Sequence, residues 1–170
     1  MKGLEWIRLH YAYPSKFPME ILDVIRERDN ICKYLDMPLQ HASNNMLKAM
    51  RRQITREEMT ELVHQIRETV PAICLRTTLI TGFPGETEED VEELKGFLQE
   101  TRFDRVGIFT YSHEENTSAY DLIDDIPDEE KERRAQEIME VQQEISLEKT
   151  RKKSAKHSKY LLIKKKPGAT

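Results

Sequence analysis

At 170 residues, 34% charged and 38% hydrophobic, the chain suits one domain with a sizeable core. Two cysteines exclude a disulfide scaffold, no apolar run reaches membrane-spanning length, and residues 1–30 lack a signal-peptide pattern, so a cytoplasmic setting is expected. The net charge of −4 hides an asymmetry: residues 1–148 carry 18 Lys+Arg against all 31 Asp+Glu, and residues 149–170 carry nine Lys+Arg and no acid.

Trp6 to Tyr11 alternates as a strand does, and Tyr13-Pro14 ends it. Pro18 opens a helix with Ile21, Leu22 and Ile25 on one face. Cys32 to Leu39 reads as the next strand, with Pro38 turning it out toward Gln40-His41. Asn45 to Arg51 reads as helical. A second helix follows, capped by Thr55 with Glu58 in the box position and with Met59, Leu62, Val63 and Ile66 inward. Pro71 stops it. The β-branched run Cys74 to Thr81 is a further strand, broken by Gly82, Pro84 and Gly85. Thr87 and Asp90 then form a capping box, and Val91, Leu94 and Leu98 give the helix its apolar stripe. Val106 to Tyr111 supplies a strand, Ser112 to Pro127 a polar connection, and Asp128 the start of a long helix carrying Ile138, Val141 and Ile145. Tyr160 to Ile163 reads as the start of one more strand.

Four strands alternating with helices predict an α/β fold around a parallel sheet with its strands in sequential order. Four such units make half a barrel and leave two open edges, so the sequence reads as incomplete. The loop after Thr81 stands at a strand's carboxyl end, where ligands of parallel α/β folds sit. It has neither the Gly-Lys-Ser/Thr of a Walker loop nor a Gly-x-Gly-x-x-Gly turn, and by itself it also fits a plain strand-to-helix turn. Cys32 and Cys74, in apolar company, read as buried thiols. The basic 149–170 run suits contact with RNA or a ribosome, but such a run is more often a solvated helix end and linker.

Gly-Phe-Pro-Gly-Glu-Thr-Glu-Glu-Asp at 82–90 resembles the loop after the fifth barrel strand of the radical S-adenosylmethionine methylthiotransferases. Trp-Ile-Arg-Leu-His-Tyr-Ala-Tyr-Pro at 6–14 is similar to the third strand of that family, and Tyr-Leu-Asp-Met-Pro-Leu-Gln-His-Ala-Ser at 34–43 to the fourth. Leu-Lys-Ala-Met-Arg-Arg at 47–52 resembles the following helix, and 103–112 with 114–119 the sixth strand and its loop. Tyr-Ala-Tyr-Pro and Pro-Leu-Gln-His-Ala resemble the branch that modifies an aspartate β-carbon of the twelfth small-subunit ribosomal protein. The tRNA adenosine branch usually carries Ser-Pro-His-Pro and Pro-Val-Gln-Ser-Gly there. The resemblance implies a partial TIM-type (βα) barrel over 1–150, its third to sixth units, truncated at both ends. It implies a basic linker and the start of a truncated TRAM-like β-barrel over 151–170.

The cofactors implied are S-adenosylmethionine and, in the full-length family, [4Fe-4S] clusters. The reduced cluster cleaves S-adenosylmethionine to a 5′-deoxyadenosyl radical. The Cys-x-x-x-Cys-x-x-Cys ligand motif is absent from this chain, and two cysteines cannot replace it. Gln40, Arg52, Gly82, Gly85 and Glu86 are the implied cofactor-binding residues. Arg51 competes with Arg52 for its role. Tyr13 and Tyr111 are placed on the substrate side, His10, His41 and His113 have no metal-ligand spacing, and no catalytic residue is assigned. The implied partners are the ribosomal protein substrate, the missing amino-terminal half of the enzyme and, through the basic tail, ribosome or RNA, with no membrane. The competing readings are a non-catalytic remnant that only binds a partner and an unrelated βα-barrel enzyme.

Overall fold

The computed structural model describes residues 3–164. Four strands, β1 (Ile7–Leu9), β2 (Ile31–Asp36), β3 (Cys74–Thr81) and β4 (Arg105–Thr110), form one parallel sheet in the order β1-β2-β3-β4. Helices α1 (Ile21–Glu27), α2 (Asn44–Ala49), α3 (Arg56–Thr69), α4 (Glu88–Thr101) and α5 (Asp128–Lys164) connect or follow them. The expected open, partial TIM-type α/β arrangement is therefore what forms.

Strand alternation sorts the two faces of the sheet. Leu75 and Leu79 of β3 are buried with Leu62 and Ile66 of α3, Leu94 and Phe97 of α4, and Ile138 of α5. Phe97 and Phe103 are among the largest fully buried side chains, and their ring centroids are 6.1 Å apart. Both predicted capping boxes are present, Thr55 with Glu58 and Thr87 with Asp90. Each satisfies two otherwise orphaned backbone amides, which fixes where α3 and α4 begin.

Three expectations need correction. The outer strand β1 is shorter than Trp6–Tyr11, because Tyr11 takes a left-handed backbone (φ +62°) and leaves the ladder. Cys32 and Cys74 are half-buried rather than core residues. Alternation places them, with Tyr34 and Arg76, on the sheet face away from the helices, lining a common cavity. Tyr160–Ile163 continues α5 as helix; a helix meets its backbone hydrogen bonds within the segment, whereas a strand needs a neighbour.

Candidate functional site

The carboxyl ends of the inner strands β2 and β3 are tied together by one buried network. After β3 the chain turns through Gly82 (φ +73°) and Gly85 (φ +79°), conformations that a side chain disfavours. The Gly82 amide donates to Glu86 Oε2 at 2.8 Å, and the Gly85 amide donates to Asp125 Oδ1 at 3.1 Å. The Glu86 side chain has no exposed surface. Its Oε1 is 3.2 Å from His41 Nε2, and its Oε2 accepts from Arg134 Nη1 at 2.8 Å. Arg134 Nη1 also donates to the Glu86 carbonyl at 2.9 Å. Burial lowers the pKa of Arg134, but its hydrogen bonds to Glu86 and Glu130 outweigh this and raise it.

His41 Nδ1 accepts the Ser43 amide at 2.9 Å, which assigns the ring proton to Nε2, the atom facing Glu86. Ser43 caps α2 and donates its hydroxyl to Asp90, the box residue of α4. Burial opposes ionisation of Asp90, yet the bonds from Ser43, Thr87 and Asn45 hold its pKa below the usual range. The loops after β2 and β3 are thus one pre-built unit with the first turns of α4 and α5.

Gln40 sits where this unit meets the sheet. Its backbone is left-handed (φ +76°), its amide donates to Thr78 O at 2.9 Å, and its carbonyl accepts from Ile80 at 2.7 Å. That extra bridge extends β2 beyond Pro38 and leaves the carboxamide half-buried at the strand end. Arg52 reaches the same sector: Nη2 donates to Pro38 O at 2.9 Å, and the guanidinium lies 4.7 Å from the Tyr13 ring centroid. Arg52 Nε is buried without a hydrogen-bond partner. Arg51 is exposed in a left-handed turn, so Arg52 is the arginine that faces the strand ends.

The two glycines differ. A Cβ on Gly82 would lie 2.2 Å from Cγ of Lys131, whose stem fills that space, while a Cβ on Gly85 would meet nothing within 4 Å. Only Gly85 leaves the loop backbone open to a ligand. Glu86, whose oxygens are both engaged within the protein, shapes the loop from behind. Tyr111 follows β4 and packs edge-on against Phe83 at 5.2 Å. Its hydroxyl is 3.2 Å from His113 Nδ1, and Lys131 Nζ is 5.5 Å from its ring. Burial and the nearby Asp124 raise its pKa. Tyr111, His113, Asp124 and Lys131 line a cavity of about 450 Å³.

Sequence reasoning missed His41, Lys131 and Arg134 as parts of this unit. His41 adjoins Gln40, but no spacing reveals that its partner lies 45 residues on. Lys131 and Arg134 look like ordinary charges on an exposed helix until the fold buries them.

S-adenosylmethionine has a carboxylate and a polar ribose. The orphaned Arg52 Nε, the Gln40 carboxamide and the open backbone at Gly85 fit such groups. A four-iron cluster does not fit the cysteines present, since it needs three or four convergent thiolates. The only metal-type grouping among the described residues is Glu88, Glu92 and Glu137, already engaged by Lys95 and Arg133.

The Radical SAM superfamily signature matches residues 2–98. The ribosomal protein uS12 methylthiotransferase RimO of Flavobacterium psychrophilum is 51% identical over 168 residues, 99% of this chain and 39% of that protein. RimO of Christiangramia forsetii is 57% identical over 148 residues, covering 87% and 33%. RimO of Cytophaga hutchinsonii is 55% identical over 168 residues, covering 99% and 38%. The chain thus spans between a third and two fifths of the length of these relatives. Among solved structures, the radical SAM enzyme coproporphyrinogen III oxidase (HemN) of Escherichia coli shares the fold. The TM-score is 0.68 at 21% identity, over 82% of this chain and 32% of that one. Signature, homology and fold agree: the chain belongs to the radical SAM superfamily.

Proposed function

We propose that residues 1–150 are the third to sixth βα units of the catalytic barrel of a methylthiotransferase. The enzyme adds a methylthio group to an aspartate β-carbon of a small-subunit ribosomal protein. The observation that carries this reading is the 51–57% identity to three RimO proteins across nearly the whole chain, joined to a pre-built strand-end unit suited to a nucleoside. S-adenosylmethionine, when bound, would supply radical chemistry at the substrate carbon. Gln40 would hydrogen-bond its ribose, Arg52 would pair with its carboxylate, and the open backbone at Gly85, set by the Gly82 turn and held from behind by Glu86, would face its adenine. Tyr13 and Tyr111 flank the substrate. Cys32 and Cys74 are too few to hold a cluster that would reduce the cofactor, and no step is assigned to them.

The same reading places the protein in the cytoplasm, where ribosomal proteins are made. It gives the basic 149–170 run the role of touching ribosome or RNA. Among the described residues no helix is long and apolar enough to cross a membrane. Joining this chain to the part of the Flavobacterium psychrophilum relative that lies outside the matched region tests the proposal. The reconstituted chimera is expected to place a methylthio group on the uS12 aspartate, read by mass spectrometry. A soluble chimera that cleaves S-adenosylmethionine yet leaves uS12 unmodified would exclude the substrate assignment.

A further inference from the structure

The sheet face turned away from the helices carries an arginine on three of its four strands: Arg8 on β1, Arg76 on β3 and Arg105 on β4. They line an open cavity of about 610 Å³ with Tyr34, Cys32 and Cys74. Cys74 and Arg105 are the first residues of their strands, so this cavity lies at the opposite end of the sheet from the glycine loop.

Two of the arginines are posed by neighbours. The Arg8 guanidinium stacks 3.8 Å from the Tyr34 ring centroid. Arg76 reaches across to β2, with Nη1 2.7 Å from Asp36 Oδ2. Its Nη2 lies 3.5 Å from where a Cβ on Gly107 would stand, so the missing side chain gives it room. Arg105 is exposed, and the adjacent Asp104 pairs with Lys149 instead. Asp36 is the carboxylate bound to this group, through Arg76, with its other oxygen buried and unpartnered.

The decisive atom is the Tyr34 hydroxyl. Tyr34 is only 8% exposed, and its hydroxyl is buried without a hydrogen-bond partner. Leaving such a group unmet is costly, and a phenylalanine would fill the position without that cost. Arginine stacking alone accounts for the ring but not for the oxygen. An anionic oxygen bound in the cavity would accept from the hydroxyl and from the guanidinia together.

We propose that this cavity is an oxyanion site for a small ligand bearing a phosphate or carboxylate, held by Arg8, Arg105 and the Tyr34 hydroxyl. Arg76 is kept in place by Asp36. Trp6, the only tryptophan of the chain, lies two residues before Arg8 and is largely exposed, so its fluorescence reports on this face. The test titrates the full chain at low salt with inorganic phosphate and, separately, with succinate, following Trp6 emission and the heat of binding. Saturable binding of either anion is expected, the stronger one identifying the ligand's acidic group. Arg105→Gln should weaken it by about ten-fold, and Tyr34→Phe by about three-fold without lowering the melting temperature. If neither anion moves Trp6 emission, or if Arg105→Gln binds as the wild type does, the site is overturned. The latter pattern would mean an ion held elsewhere, such as on the basic 149–170 run.

Discussion

The inner strands β2 and β3 and the outer strands β1 and β4 are the same kind of unit, yet their carboxyl ends are finished differently. The inner ends are closed by buried carboxylates held by their partners: Glu86 by His41 and Arg134, and Asp90 by Ser43. The outer ends carry exposed aromatic residues, Tyr11 at 75%, Tyr13 at 45% and, within β4, Phe109 at 58%. A carboxylate enclosed with its partners holds one geometry, because any other leaves a buried charge unpaired. An exposed ring on a strand end has no such constraint. The inner pair therefore suits a cofactor that must be held in one pose, and the outer pair a substrate that arrives from outside.

Breaking the inner network should give the largest effect. Glu86→Ala leaves Arg134 with Glu130 alone as a charged partner and should cost about 3 kcal/mol, the size expected when one partner of a buried pair is removed. Urea unfolding measures it. The double variant Glu86→Ala with Arg134→Met should cost less than the sum of the single changes, since the buried charge that lost Glu86 is then gone. Additive costs would mean the pair is not coupled.

Next come the two glycines, which sharpen the contrast within a single loop. Gly82→Ala drives a methyl into the Lys131 stem in a left-handed backbone and should cost about 2–3 kcal/mol. Gly85→Ala has open space and meets only the backbone penalty of about 1 kcal/mol. Equal melting temperatures for the two variants would contradict the packing described at Gly82.

Acid should loosen the inner unit at α5. Hydrogen bonds from Arg133 and Arg134 hold Glu130 at about 2, below the 4.5 of a free side chain. A depressed folded-state pKa contributes stability that is present above pH 4.5 and is lost as the pH falls toward 2. Glu130→Gln should flatten the stability profile across that window. A profile as steep as the wild type's would assign the acid loss to other carboxylates. The smallest effect belongs to the outer ends: Tyr11→Ala should change stability by no more than about 0.5 kcal/mol, as for most exposed positions.

The same division explains what could be read without the structure. The inner strand β3, its glycine turn and both capping boxes follow local rules of composition and spacing, and they stand where those rules put them. Strand order follows from βα alternation. What escaped was made by distance along the chain. Glu86 reads as a loop residue beside the adenine, yet partners 45 and 48 residues away turn it inward. Cys32 and Cys74 read as core thiols because their neighbours are apolar, and only the pleat shows that they face the other way. Arg51 and Arg52 were indistinguishable until a left-handed turn at Arg51 set their directions.

On the proposed function, the Gln40 end of β2 and the glycine loop after β3 hold S-adenosylmethionine. Equilibrium dialysis of labelled S-adenosylmethionine against the full chain and its Gln40→Ala variant tests it most directly. Saturable binding by the wild type is expected, weakened about five-fold in the variant, the worth of one lost hydrogen bond, at an unchanged melting temperature. No binding by the folded wild type, or equal affinity in the variant, would contradict the placement of the cofactor at these strand ends.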